Sequence, residues 1–196
     1  MLVFWDQRLV FLATPKTGST AIAMSLESLA SVSIQRPPVL KHTSVQRFHR
    51  FVGPYLKVAS GHDFTTVALM REPLDWLGSW FRYRQREDLL DENASTKGMS
   101  FDDFASAYCE TPQPMFAEVG SQARFLAPEG RAPVDRIFCY ERIEDFVEFL
   151  EDRLRCEIHL PRVNVSPLAD LKLRPETERR VRKAMARDIA LYESLS

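Results

Sequence analysis

Cysteine is scarce. Cys109, Cys139 and Cys156 are the three in 196 residues. They are odd in number and lack C-x-x-C spacing, which excludes a disulfide framework and a cysteine-based metal site and fits buried thiols in a reducing cytoplasm. Long apolar runs are missing as well. Nothing approaches the roughly 20 residues that cross a bilayer, so no membrane span is expected. The opening MLVFWDQRLVFLAT carries Asp6 and Arg8 between two short apolar runs, with no basic leader or small-residue cleavage site, and reads as strand. An excess of one charge is also absent. The formal net charge is −1, which argues against a nucleic-acid partner or a blanket polyanion surface. No internal repeat, low-complexity tract or Ser/Gly linker divides the chain. Lysine is few: 20 of the 26 basic residues are arginine, the better bidentate partner for phosphate, sulfate and carboxylate.

What remains is an ordinary globular composition, 45% apolar and 27% charged. Its length suits a single domain over residues 1–196 with a core of its own. Leu9 to Ala13 is a continuous apolar run, as in a strand buried on both faces. Thr14 to Thr20 is turn chemistry, and Ala21 to Ala30 returns to helical spacing through Ile22, Leu26 and Leu29. Thr66 to Met70 repeats the strand signal. Pro73 suits the first turn of a helix running on to Arg86. Further helices are predicted at Phe101 to Tyr108, Glu141 to Leu154 and Pro175 to Leu195, and a third strand at Val134 to Tyr140. Strands alternating with helices imply an α/β fold: three layers, with a mostly parallel central sheet flanked by helices.

Two segments carry chemistry. PKTGST lies between a strand and a helix, where successive backbone N–H groups and a helix start can cradle an anion. Lys16 adds charge, Gly18 permits close approach, and Ser19 and Thr20 add hydroxyls. The same residues also make an ordinary strand–helix turn. Aligned with G-x-x-x-x-G-K-[ST], the segment has Ala13 at the first glycine and Ser19 at the lysine, so an ATP or GTP loop is not supported. In the second segment Arg71 follows a buried strand, and Ser79 lies eight residues on. In parallel sheets ligands sit at the carboxyl ends of strands, which would place Arg71 and the Lys16 loop on one edge.

PKTGST after strand one and REPLDWLGSW after a later strand together resemble the sulfotransferases that use 3′-phosphoadenosine-5′-phosphosulfate (PAPS). The likeness extends to Lys41-His42-Thr43, Gln122 in GSQARFL, Tyr140-Glu141, Asn164-Val165-Ser166, and Asp188 with Tyr192, as in small carbohydrate-type members. It implies a P-loop-like sulfotransferase fold and PAPS as sulfuryl donor, with no metal required. Lys16, Thr17, Gly18, Ser19 and Thr20 would hold the 5′-phosphosulfate, and Arg71 and Ser79 the 3′-phosphate. Glu72 stands where the family has aspartate or asparagine.

Sulfuryl transfer needs in-line positioning, charge neutralisation at the departing oxygen and a base for the acceptor hydroxyl. The resemblance gives Lys16 the neutralising role. Among His42, His49, His62 and His159 it favours His42 as base, with Glu72 and His62 as alternatives. His62 would lie at the amino end of its strand, on the wrong edge. The Arg82–Arg86 run and Arg179, Arg180, Arg182 and Lys183 read as solvated helix faces. Arg86 to Gly98 and Pro112 to Arg131 are the loops expected to select the acceptor. The expectation is a cytoplasmic enzyme acting on a small-molecule donor and a hydroxyl acceptor such as a carbohydrate. A P-loop-type kinase and a non-catalytic nucleotide-binding module are the competing readings.

Overall fold

The computed structural model describes residues 1–87, 89, 91–161 and 169–195. In chain order the strands and helices are β1 (Leu2–Phe4), β2 (Leu9–Phe11), α1 (Ser19–Leu26), β3 (Val32–Ser33), α2 (Pro38–Lys41) and α3 (Val45–Arg47). A π-helical turn (Phe48–Val52) leads into α4 (Gly53–Ser60), followed by β4 (Thr65–Met70), α5 (Pro73–Arg84), α6 (Phe101–Tyr108) and α7 (Gln122–Leu126). The chain continues through β5 (Arg136–Cys139), α8 (Ile143–Leu154), α9 (Pro175–Ala184) and α10 (Ala186–Glu193). These elements fall into two compact units: residues 1–71 with 122–161 and 195, and residues 72–121 with 169–194.

The first unit is α/β. Its five strands form one sheet in the order β3-β1-β2-β4-β5. β2, β4 and β5 are parallel, whereas β1 pairs antiparallel with both β2 and β3. The sheet is therefore mixed rather than mostly parallel. The cause lies in the first eleven residues, which fold as a hairpin instead of one strand. Polar Asp6 and Gln7 interrupt the apolar run, the Arg8 amide donates to the Trp5 carbonyl at 3.1 Å, and Arg8 takes φ 50°. That turn sets Phe4 opposite Leu9.

Side chains alternate between sheet faces. Leu2, Phe4, Leu9, Phe11, Val67, Leu69 and Phe138 share one face and pack with Ile22 and Leu26 of α1 and Phe146 and Leu150 of α8. The intervening Val3, Val10, Ala68 and Met70 are buried too, so β1, β2 and most of β4 are covered on both faces. A β-strand buried on both sides reads as a continuous apolar run, as LVFLA and TVALM do.

The second unit is helical. Its core joins Trp76, Leu77 and Phe81 of α5 to Phe101, Phe104 and Tyr108 of α6, and to Val181 and Met185. The Asp102 carboxylate receives the Arg174 backbone amide and Nε–H, both at 2.7 Å, ahead of α9. The single helix expected over Pro175 to Leu195 is two, because the chain leaves helical geometry at Met185 (φ −97°, ψ 15°). A second expectation changes at Arg84. Far from lying on a solvated face, it is buried, and its guanidinium donates to the carbonyls of Met115 (2.6 Å) and Glu118 (3.1 Å). Burial lowers its pKa.

Candidate functional site

Parallel strands deliver their carboxyl ends to the same edge. Three segments consequently emerge together from β2, β4 and β5: the Thr14–Thr20 loop, Arg71, and Tyr140. The register refines this placement. β2 leaves the ladder at Phe11 opposite Val67, while β4 and β5 continue to Met70 opposite Cys139. Arg71 and Tyr140 are the next residues in register, and the Arg71 guanidinium lies 4.8 Å from the centre of the Tyr140 ring.

The loop turns tightly. Lys16 (φ 66°) and Gly18 (φ 70°) both take left-handed backbone. For lysine that geometry is costly, and it is held from two sides. Arg71 Nη1 donates to the Lys16 carbonyl at 3.2 Å, and Thr17 Oγ1 donates to the Thr14 carbonyl at 3.0 Å. Gly18 is required twice over, by its φ and by the Tyr140 ring, whose Cε2 would stand 3.1 Å from an added Cβ. As N-cap of α1, Gly18 supplies no side-chain acceptor to the first-turn amides. Those amides have no partners within a helix, so this helix start suits an anion. Thr14 Oγ1, fully buried at the start of the loop, has no hydrogen-bond partner among the described residues.

Arg71 is fixed by its own backbone. Buried Gln122 at the start of α7 accepts the Arg71 amide through Oε1 at 2.9 Å and donates Nε2–H to its carbonyl at 2.8 Å. The side chain thus extends the β4 ladder by one residue and sets where the guanidinium begins.

His42 reaches the same loop. Its Nδ1 lies 2.6 Å from the Ala13 carbonyl. A carbonyl only accepts, so Nδ1 carries the hydrogen and the neutral ring presents its lone pair at Nε2. Burial lowers the His42 pKa below 6.5, helped by the charges of Lys41, the Met1 amino group and Lys16, while the Ala13 bond opposes it. Lys41 Nζ donates to Thr20 Oγ1 at 3.1 Å, and burial lowers its pKa as well. Four cationic or protonatable side chains, Lys16, Lys41, His42 and Arg71, are therefore gathered around one loop.

The remaining candidates have these places in the fold. Ser79 belongs to the helical unit, buried within α5. Glu72 is the N-cap of that helix, its carboxylate accepting the Asp75 amide at 2.7 Å, which gives the acid in Arg-Glu-Pro a capping role. His62 is exposed beside the amino end of β4, and His49 and His159 are exposed. Asn164, Val165 and Ser166 lie outside the described residues. Two contributors were quoted in the sequence only as part of the resemblance, with no role of their own. Lys41 reaches Thr20 from a segment 21 residues on, and the Gln122 clamp depends on a contact 51 residues away in sequence. No family model matches this chain, and no curated protein does.

Proposed function

We propose that the protein is a sulfotransferase that moves a sulfuryl group from PAPS to a hydroxyl acceptor, on a P-loop-like fold. The observation that carries the reading is the loop itself. Amides of a helix start, two hydroxyls and the positive side chains of Lys16, Lys41 and Arg71 converge on it, and His42 has Nδ1 committed to Ala13. The donor set fits a polyanion, because it offers N–H and O–H groups and positive charge, and the sequence of the loop, Thr14 to Thr20, contains no aspartate or glutamate. Lys16 and the amides of Ser19 and Thr20 would take the 5′-phosphosulfate. Arg71 would take the 3′-phosphate, with Ser79 added by the resemblance.

The chemistry asked of the chain is modest. The acceptor oxygen attacks sulfur, its proton passes to His42 Nε2, the sulfur–oxygen bond to the 5′-phosphate breaks, and the bisphosphate leaves. Lys16 offsets the charge that grows on the departing oxygen. A histidine kept neutral by burial is in the form a base needs.

Calorimetry against adenosine 3′,5′-bisphosphate, ATP and GTP tests the reading. Bisphosphate should bind tightest without magnesium, and Lys16→Ala and Arg71→Ala should each weaken it at least tenfold. Preference for Mg-ATP would overturn the proposal. Transfer of labelled sulfate from PAPS to a panel of hydroxyl acceptors then separates an enzyme from a binding module.

A further inference from the structure

The chain is nearly neutral overall, yet residues 28–62 contain no aspartate or glutamate and carry Arg36, Lys41, Arg47, Arg50 and Lys57. Much of this stretch forms α2 to α4, and it displays apolar side chains where water would be expected to select polar ones. Phe51, Tyr55 and Val58 are 61%, 71% and 87% exposed. Tyr55 and Val58, three residues apart, share one face of α4, and Phe51 is exposed in the π-helical turn that leads into it. Val39 and Leu40 of α2 are half exposed, and Arg47 Nη1 donates to the Val39 carbonyl at 3.3 Å, linking α2 to α3. The Arg50 guanidinium lies 5.0 Å from the centre of the Phe51 ring. Lys57 is paired with Asp63 at 2.9 Å, whereas Arg47 and Arg50 form no ion pair among the described residues.

We infer that the Phe51–Tyr55–Val58 face docks on an anionic lipid surface, with Arg47 and Arg50 meeting the headgroups. Two observations select this occupant. Every charged side chain within residues 28–62 is positive and the one acid that follows, Asp63, is engaged by Lys57, which leaves Arg47 and Arg50 to complement an anionic leaflet. The exposed apolar stripe here is three side chains, where a stable protein interface takes about 20–30 residues a side. An interfacial helix, by contrast, needs only such a stripe with arginines beside it, since apolar side chains enter the acyl boundary while guanidinium groups stay at headgroup level. The contact is peripheral: no described helix is long and apolar enough to cross a membrane. It is independent of the sulfuryl-transfer reading.

Co-sedimentation of the full chain with phosphatidylcholine vesicles, with and without phosphatidylserine, tests the inference. The protein should pellet with the phosphatidylserine vesicles and remain in solution with phosphatidylcholine alone, and added salt should weaken the binding. The triple variant F51S/Y55S/V58S should lose about tenfold or more of that partitioning, as should R47Q/R50Q. These side chains are exposed, so circular dichroism and thermal melts should match the parent. Failure to pellet with anionic vesicles would overturn the inference. Equal pelleting of parent and triple variant would do so as well, reducing the effect to charge alone. Concentration-dependent dimerisation abolished by the triple variant would assign the face to a second copy instead.

Discussion

Gln122 and Arg71 are joined by a ring of two hydrogen bonds in which a side-chain amide pairs with a backbone peptide as a neighbouring strand would. The ring fixes the Arg71 backbone at the sheet edge, the point from which its side chain starts. From it the guanidinium reaches both the Lys16 carbonyl and the Tyr140 ring.

Gln122→Ala should strand a donor and an acceptor at a buried position, since Gln122 is 1% exposed. The expected loss is about 2 kcal/mol or more, read from urea unfolding. Gln122→Glu keeps the acceptor but opposes the Arg71 carbonyl with a second oxygen, so it should destabilise at neutral pH too. A variant as stable as the parent would remove the clamp from the account.

Gly18→Ala meets two penalties, a left-handed φ and the Tyr140 ring. Destabilisation of about 1 kcal/mol or more is expected from the backbone alone. Tyr140→Ala in the same chain should recover only the steric part. Bisphosphate affinity, measured by calorimetry, should fall with Gly18→Ala because the cradle depends on that turn.

His42→Asn is the informative substitution at the proposed base. The asparagine amide can still donate to the Ala13 carbonyl, as Nδ1 does, but offers no base at the Nε2 position. Bisphosphate binding should survive while turnover falls roughly 10²-fold or more. In the parent, the acidic limb of kcat/KM should lie below 6.5, since burial disfavours the charged ring. A limb above that value would point to another base.

Asp102 is held below the usual carboxylate range by hydrogen bonds from Arg174. A depressed carboxylate stabilises the fold above its unfolded pKa of about 3.8 and loses that contribution as pH falls through the folded value. Acid titration followed by fluorescence should therefore show the parent losing stability below about pH 4. Asp102→Asn should be less stable at neutral pH and flatter through that range.

Much of the first unit was legible from local pattern. LVFLA, TVALM and the amphipathic stretch after Tyr140 became β2, β4 and α8 with ends shifted by a few residues. Two strand–loop junctions, at Lys16 and at Arg71, could be placed on one edge from the parallel arrangement alone. The hairpin was hidden because Asp6 and Gln7 break a run too short to show which way the chain turns. The interruption at Met185 was hidden for a related reason, as the apolar spacing carries on across it. Arg84 looked solvated because charge in a helix is cheapest in water. Here the carbonyls of Met115 and Glu118 replace that water.

The sequence by itself determined the α/β character of the first unit, the polar loop between β2 and α1, and the placement of arginine directly after a buried strand. It could do so because hydrophobic period and turn chemistry act over a few residues. The tertiary structure decided that the sheet is mixed, that Gln122 fixes the Arg71 backbone, that Lys41 reaches Thr20, and that His42 Nδ1 meets the Ala13 carbonyl. Each of those depends on groups brought together from distant positions in the chain, where hydrogen-bond geometry rather than local spacing sets the outcome.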